Sequence, residues 1–246
     1  MLKLEDFKAA KKRVDEVILP THLIHSDAFS EECGNDVYIK PENLQKTGAF
    51  KIRGAYNKIM KLDDEAKKKG LIASSAGNHA QGVAYAAKKL GVKATICMPA
   101  HTPLIKVDAT KAHGADEAYE KAVELQKSEG YTFVHPFDDE DVMEGQGTIA
   151  LEIMEELPDV DYILVPIGGG GLISGIACAA KQINPSVKIV GVEPEGAASA
   201  LAAVEDDQLV KLSEVSTIAD GTAVKQIGET PFEYIKKYVD EIVTVS

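Results

Sequence analysis

Asp161-Tyr162-Ile163-Leu164-Val165-Pro166-Ile167-Gly168-Gly169-Gly170-Gly171-Leu172 is the stretch that decides the fold. Its first seven residues read as a buried strand, four glycines follow directly, and a helical pattern begins near Leu172. Four glycines let the backbone curl and point successive N–H groups inward. With the positive end of a helix dipole behind them, they can hold an anion such as a phosphate. No Gly-Lys-Ser/Thr follows, so this is not a nucleoside-triphosphate loop, and Ser174 stands where a Rossmann fingerprint needs its third glycine. The alternative is a tight strand-to-helix turn, for which one or two glycines suffice.

The rest of the chain repeats the same alternation. Strands are expected at 37–40, 71–74, 94–98, 132–135, 162–167 and 188–192, with helices at 51–61, 79–90, 148–157 and 172–183. In the helix at 51–61, Ile52, Ala55, Tyr56 and Ile59 recur at helical spacing, as do Val83, Ala86, Ala87 and Leu90 in the next. This order predicts an α/β protein with mainly parallel strands. Glycines cluster where strands end, at Gly77, Gly168 to Gly171 and Gly191, which is where open α/β sheets bind ligands. There is no repeat, no low-complexity segment and no long linker.

The 246 residues suit one large or two small domains, and 45% apolar with 27% charged residues marks a globular chain. A net charge of −12 without a basic patch argues against nucleic-acid and anionic-membrane partners. Cys33, Cys97 and Cys178 show neither zinc spacing nor a disulfide framework; Cys97 and Cys178 read as core residues, and a reducing cytoplasm is expected. The charged start Met1-Leu2-Lys3-Leu4-Glu5-Asp6 is unlike a signal peptide, and no apolar run approaches membrane-spanning length.

Two further segments carry chemistry. Lys51 lies in Thr47-Gly48-Ala49-Phe50-Lys51-Ile52-Arg53-Gly54-Ala55, at a helix entrance between an aromatic and apolar neighbours. Desolvation there would lower its pKa and make its amine a nucleophile, whereas most lysines are surface charges. Ser74-Ser75-Ala76-Gly77-Asn78-His79-Ala80-Gln81-Gly82 also runs from a strand into a helix. Its backbone can wrap a carboxylate, or Ser75 or Asn78 merely caps the helix that follows.

Together these segments resemble the fold-type II pyridoxal-phosphate enzymes, most closely the serine/threonine dehydratases (threonine ammonia-lyases). The resemblance runs from about Pro20 to Val245. It is carried by Lys40 to Gly54, Ser74 to Gly82, Glu144-Gly145-Gln146-Gly147-Thr148, Pro166 to Ser174 and Thr217-Ile218-Ala219-Asp220-Gly221, in that order. It implies a tryptophan synthase β-like fold of two open, twisted, mainly parallel sheets flanked by helices. It also implies a discontinuous large cofactor-binding domain (1–65 and 138–246) and a small substrate-loop domain (66–137).

By that resemblance Lys51 holds pyridoxal 5'-phosphate as a Schiff base, Phe50 packs near its ring and Asn78 bonds the ring hydroxyl. Gly168, Gly169, Gly170, Gly171 and the Leu172 amide cradle the phosphate. Ser75, Ala76, Gly77 and His79 grip the substrate carboxylate. The implied reaction is α,β-elimination of L-threonine and L-serine to 2-oxobutanoate or pyruvate and ammonia. Other fold-type II eliminations or replacements, such as those of threonine synthase and cysteine synthase, stay open, as does a scaffold that binds cofactor with little turnover. Homo-oligomerisation is a further expectation.

Serine racemase-like relatives carry a Ser where this chain has Ala76, which lacks an acid group to reprotonate the opposite face, so elimination is favoured. Those relatives bind a metal through two carboxylates and a carbonyl. Glu193 matches the first, but Ser199 stands in place of the second, and no metal is expected. His22 and His25 have ligand-like spacing without partners and read as surface or structural histidines.

Two departures from the family are expected to matter. After Gly114-Ala115 the family has a further strand and turn, whereas this chain goes directly into Asp116-Glu117-Ala118-Tyr119-Glu120, which is expected to begin a helix. The small lobe should then lack one strand. The chain also reaches Val243-Thr244-Val245-Ser246 where the family continues with helices, a strand and a Ser or Cys that bonds the pyridine nitrogen; Ser246 does not match that residue. The family's regulatory C-terminal domain is not expected.

Overall fold

A computed structural model describes residues 1–75, 77–98 and 130–246, together with the backbone of 116–117. In chain order the elements are α1 (Leu4–Val14), β1 (Ile24–His25), α2 (Asp27–Cys33), β2 (Tyr38–Ile39), α3 (Lys51–Lys61), α4 (Asp64–Lys69) and β3 (Leu71–Ser74). Next come α5 (Asn78–Leu90), β4 (Ala94–Cys97), β5 (Asp116–Glu117), β6 (Thr132–Phe133) and α6 (Glu140–Glu156). The chain goes on through β7 (Tyr162–Pro166), α7 (Gly171–Ile183), β8 (Lys188–Pro194), α8 (Ser199–Glu205), α9 (Glu229–Tyr238) and β9 (Glu241–Val245).

Two parallel sheets organise these elements. One has the strand order β5-β4-β3-β6 and the other β7-β8-β9, while β1 and β2 form a separate antiparallel pair. The expected α/β architecture is therefore what the chain adopts. The expectation at Asp116 is corrected. Asp116–Glu117 form a short strand parallel to β4, in register with Thr95 and Ile96, rather than the start of a helix. Pairing there gives the β4 edge backbone partners, and the sheet has four strands among the described residues.

Strand β7 is also less buried than its apolar sequence suggests. Ile163 and Val165 face the core, but Tyr162 and Leu164 are exposed. Among the described residues it is bonded only to β8, and with one face buried it reads as an alternating strand.

Each sheet has its own core. Ile163, Val165, Ile167 and Ile189 pack with Ile173, Ile176 and Ala177 of α7 and with Ile149 and Ile153 of α6. Leu71, Ala73 and Ile96 pack with Val83, Ala84 and Ala87 of α5 and with Ile52, Ala55 and Ile59 of α3. Helix α3 thus lies between the two cores, and glycines set its distance from both neighbours. A Cβ on Gly145 of α6 would stand 2.6 Å from the Arg53 carbonyl and from Gly54 Cα, and one on Gly82 of α5 3.0 Å from the Lys51 carbonyl carbon. Both contacts press on the first turn of α3, where Lys51 begins the helix.

Candidate active site

The first turn of α3 is held by an ion cluster. Arg53 is fully buried; its Nε and one terminal nitrogen each donate to Glu42 at 2.8 Å. The guanidinium also donates to both Glu152 oxygens, at 2.7 and 2.8 Å, and to Thr148 Oγ1 at 3.1 Å. Burial alone would lower the Arg53 pKa, but the bonds and charges of Glu42 and Glu152 outweigh it and raise it. Glu42 precedes the 43–50 loop and Glu152 belongs to α6, so this cluster ties the approach to Lys51 against α6. Gln146 Oε1 accepts the Gly54 N–H at 3.1 Å in the same contact. These are the physical jobs of Arg53, Gly145 and Gln146 in the motifs noted above.

Lys51 is half-buried as a residue, but its amine end is deeply set and donates to the Pro136 carbonyl at 2.7 Å. Burial lowers its pKa from 10.5 to about 8. Among the described residues no carboxylate offsets that burial, in contrast to Lys58 and Lys61 further along α3, which pair with acidic residues of α6 or its cap. The surface-charge alternative for Lys51 is thereby set aside. Phe50 is half-buried immediately before it, with its ring centroid 5.3 Å from the amine.

The loop after β3 is partly described, and Ala76 lies outside the described residues. The Ser75 N–H donates to the Cys97 carbonyl at 3.0 Å, and Ser75 Oγ accepts the Gly77 N–H at 3.1 Å. Helix α5 starts at Asn78 with Gly77 at its N-cap and no side-chain cap, so neither Ser75 nor Asn78 plays the capping role left open above. Asn78 is exposed. Around Gly77 a Cβ would meet nothing within 4 Å, which leaves that backbone open to a ligand. Its φ of −136° is not left-handed. His79 is buried, and its Nε2 bonds the Val134 carbonyl at 2.8 Å, so Nε2 carries the proton. Burial first, then the nearby Lys51 charge, lowers its pKa to about 3 and keeps it neutral.

The glycine run has two separate reasons for its composition. One is packing: a Cβ on Gly169 would stand 2.2 Å from the Phe137 ring, and one on Gly171 2.8 Å from Phe137 backbone atoms. Gly170 has φ of +91°, a left-handed angle that favours glycine. The other is donor geometry. Among the described residues, the Gly168, Gly169 and Gly170 N–H groups donate no backbone hydrogen bond, and Gly171 and Leu172 begin α7 with N–H groups outside its i−4 ladder. Up to five donors at the positive end of a 13-residue helix fit a phosphate. Gly221, the end of the last motif, and Thr222 after it lie against Gly168.

The segment 134–138 joins these parts, and the sequence suggested only that its first two residues end a strand expected at 132–135. Val134 accepts from His79, Pro136 from Lys51, and Phe137 covers Gly169 and Gly171. The Asp138 carboxylate accepts the N–H groups of Glu229 and Thr230 at the start of α9. Two of these four roles use a backbone carbonyl, which every residue has, so no residue type marks them.

The remaining expectations fall elsewhere. Glu193 is buried, and its oxygens accept the N–H groups of Ala200 and Leu201 at 2.9 and 2.8 Å. It caps α8, and no group of three His, Cys, Asp or Glu suited to a metal occurs among the described residues. His22 and His25 are paired with Glu156 and Asp27, away from Lys51. Cys97 and Cys178 are buried and unbridged. No helix among the described residues is long and apolar enough to cross a membrane.

Comparison with known proteins agrees with this fold. The L-threonine ammonia-lyase of Thermotoga maritima is 51% identical over 255 residues, covering 100% of this chain and 64% of the relative, so the chain spans less than two thirds of that protein's length. The structure of the processed form of threonine deaminase isoform 2 from Solanum lycopersicum superposes with a TM-score of 0.95 at 42% identity, over 99% of this chain and 70% of that one. Maize serine racemase superposes with a TM-score of 0.96 at 36% identity, over 99% of this chain and 76% of that one. The family described as "Pyridoxal-phosphate dependent enzyme" matches residues 14–246, and the chain belongs to it.

Proposed function

We propose that this chain catalyses pyridoxal-phosphate-dependent α,β-elimination of L-threonine, and of L-serine, to 2-oxobutanoate or pyruvate and ammonia. The observation that carries this reading is the deeply set Lys51 amine with its pKa near 8, joined through segment 134–138 to a glycine run with open N–H donors. The similarity to proteins named L-threonine ammonia-lyase and threonine deaminase supports the choice of reaction.

Lys51 is the residue that would hold the cofactor covalently. The N–H groups of Gly168 to Gly171 and Leu172 would hold its phosphate, Phe50 would pack near its ring, and Asn78 would bond its ring hydroxyl. When bound, pyridoxal phosphate supplies an electron sink for the pair left on the substrate α-carbon. Lys51 Nζ takes the α-proton. An amine of pKa about 8 is partly neutral near physiological pH, so it can accept a proton and later return it. Ser75, Gly77 and His79, with Ala76 outside the described residues, would line the substrate carboxylate site, where the Ser75 hydroxyl and the first-turn His79 N–H would donate to it beside the open Gly77 backbone. The neutral His79 ring fastens α5 to Val134, just after β6, rather than adding charge there. The enamine released after loss of the β-hydroxyl tautomerises and hydrolyses in water to the 2-oxo acid and ammonia.

The reading includes a large domain of 1–65 and 138–246 and a small one of 66–137. It also includes a cytoplasmic setting, supported by three unbridged cysteines, and self-association, supported by exposed Ile24, Phe29, Tyr38 and Ile39. The test is product analysis with added pyridoxal phosphate, on L-threonine and L-serine separately. Equal release of 2-oxo acid and ammonia, without D-serine, is expected. D-serine as the main product, or a cofactor-loaded protein that releases neither product, would overturn it.

A further inference from the structure

His135 takes no part in the mechanism above, yet it sits at the head of the segment that meets Lys51. Its Nδ1 is bonded by two backbone donors, the N–H groups of Asp138 at 2.7 Å and Phe137 at 3.3 Å. Both partners are donors, so Nδ1 must be an unprotonated acceptor and the proton sits on Nε2. This is the hydrogen-bond pattern by which an Asx side chain closes a turn, here made by an imidazole. The ring is wedged between Phe133, at 5.8 Å between centroids, and Phe137, edge-on at 4.8 Å. Between the bonded ends lies Pro136, whose carbonyl receives the Lys51 amine. Phe137 itself lies across Gly169 and Gly171.

We propose that His135 is a positioning residue for Lys51: its Nδ1 closes the 136–138 turn that presents the Pro136 carbonyl to the free amine and lays Phe137 across the glycine run. The proposal rests on the role given to Lys51 above. A protonated ring has no acceptor at Nδ1, so it releases both N–H groups and the turn loosens. The charges around the ring are Asp138 and Asp139 on its own segment, Lys51 on α3, and the neutral His79 on α5. Burial and Lys51 favour the neutral ring, while the two aspartates oppose them, and the net direction is a lowered pKa. The turn is therefore closed at neutral pH and opens on acidification.

The test is capture of pyridoxal phosphate by cofactor-free protein, trapped by borohydride and mapped to Lys51 by mass spectrometry, between about pH 5 and about pH 9. Three proteins are compared: unmutated, His135→Asn and His135→Leu. Asn places an oxygen where Nδ1 was and cannot be protonated; Leu removes the acceptor. Capture by His135→Asn should match the unmutated protein at pH 8. On acidification the unmutated protein should lose capture more steeply than His135→Asn, falling up to about tenfold behind it once the pH passes below the lowered pKa of His135. His135→Leu should capture about tenfold more slowly than the unmutated protein at pH 8, with the gap closing on acidification as the unmutated ring protonates.

Parallel pH profiles for the unmutated and Asn proteins would overturn the positioning role while leaving Lys51 in place, even if the Leu protein fails to fold. Capture that maps to another lysine in the unmutated protein would overturn the Lys51 assignment itself, and the proposal with it.

Discussion

Replacing Lys51 by Met should stabilise the cofactor-free protein, and only over a defined pH range. The folded state holds the Lys51 amine at a pKa of about 8 against 10.5 for the free side chain, because burial disfavours the ammonium. That difference corresponds to roughly 3 kcal/mol, an upper value given that the residue keeps some exposure. Below pH 8 the amine is protonated both folded and unfolded, so the full cost of the buried ammonium is present. Between about pH 8 and about pH 10.5 the unfolded chain binds a proton that the folded chain does not, so unmutated stability rises with pH. Lys51→Met lacks this rise. It also leaves the Pro136 carbonyl without its donor, a pH-independent loss of about 1 kcal/mol. Urea unfolding should therefore find Lys51→Met more stable by about 2 kcal/mol at pH 7, with the advantage lost by about pH 10. Other titrations cancel in the difference between the two proteins. A difference that stays constant from pH 7 to pH 10 would refute the depressed pKa and the burial argument behind it.

Three further substitutions probe the frame around Lys51. Gly145→Ala places a methyl 2.6 Å from Arg53 and Gly54 backbone atoms and should cost about 1–3 kcal/mol despite the better helix propensity of Ala; an unchanged urea midpoint would contradict the close packing of α3 on α6. Arg53→Met removes the cation of Glu42 and leaves Glu152 to Lys40 and Lys11, and should cost about 3 kcal/mol by the same measurement, whereas a loss below about 1 kcal/mol would show that the cluster does not hold the first turn of α3. Gly77→Ala meets open space, so stability should change by less than about 0.5 kcal/mol while KM for threonine rises about tenfold; an unchanged KM would remove Gly77 from the substrate loop.

Much of this arrangement could be read from residue order because local signals and tertiary needs agree there. Helix α3 begins at Lys51 and ends at Lys61 as its apolar spacing predicts, and α7 follows the glycine run directly. Helix α6 shows where they part. Its expected start was Thr148, but it begins at Glu140, because Gly145 and Gly147 lower helix propensity in the first half. Those glycines are there for α3 and for Phe7 and Gly175, neighbours distant in sequence. Helix α1 was also missed, although Phe7, Ala10 and Val14 recur at helical spacing and are fully buried. In the candidate site, Lys51, Phe50, Asn78 and the glycines carry recognisable chemistry, whereas Pro136 acts through its carbonyl and His135 through backbone donors two and three residues away. Contacts of that kind become visible only when the chain is folded.

The most direct test of the account is 2-oxobutanoate release from L-threonine, measured with added pyridoxal phosphate for the unmutated protein and for Lys51→Ala side by side. The account predicts product from the first and none above background from the second, with both proteins folded. Release at the same rate from both would contradict the claim that Lys51 carries the chemistry.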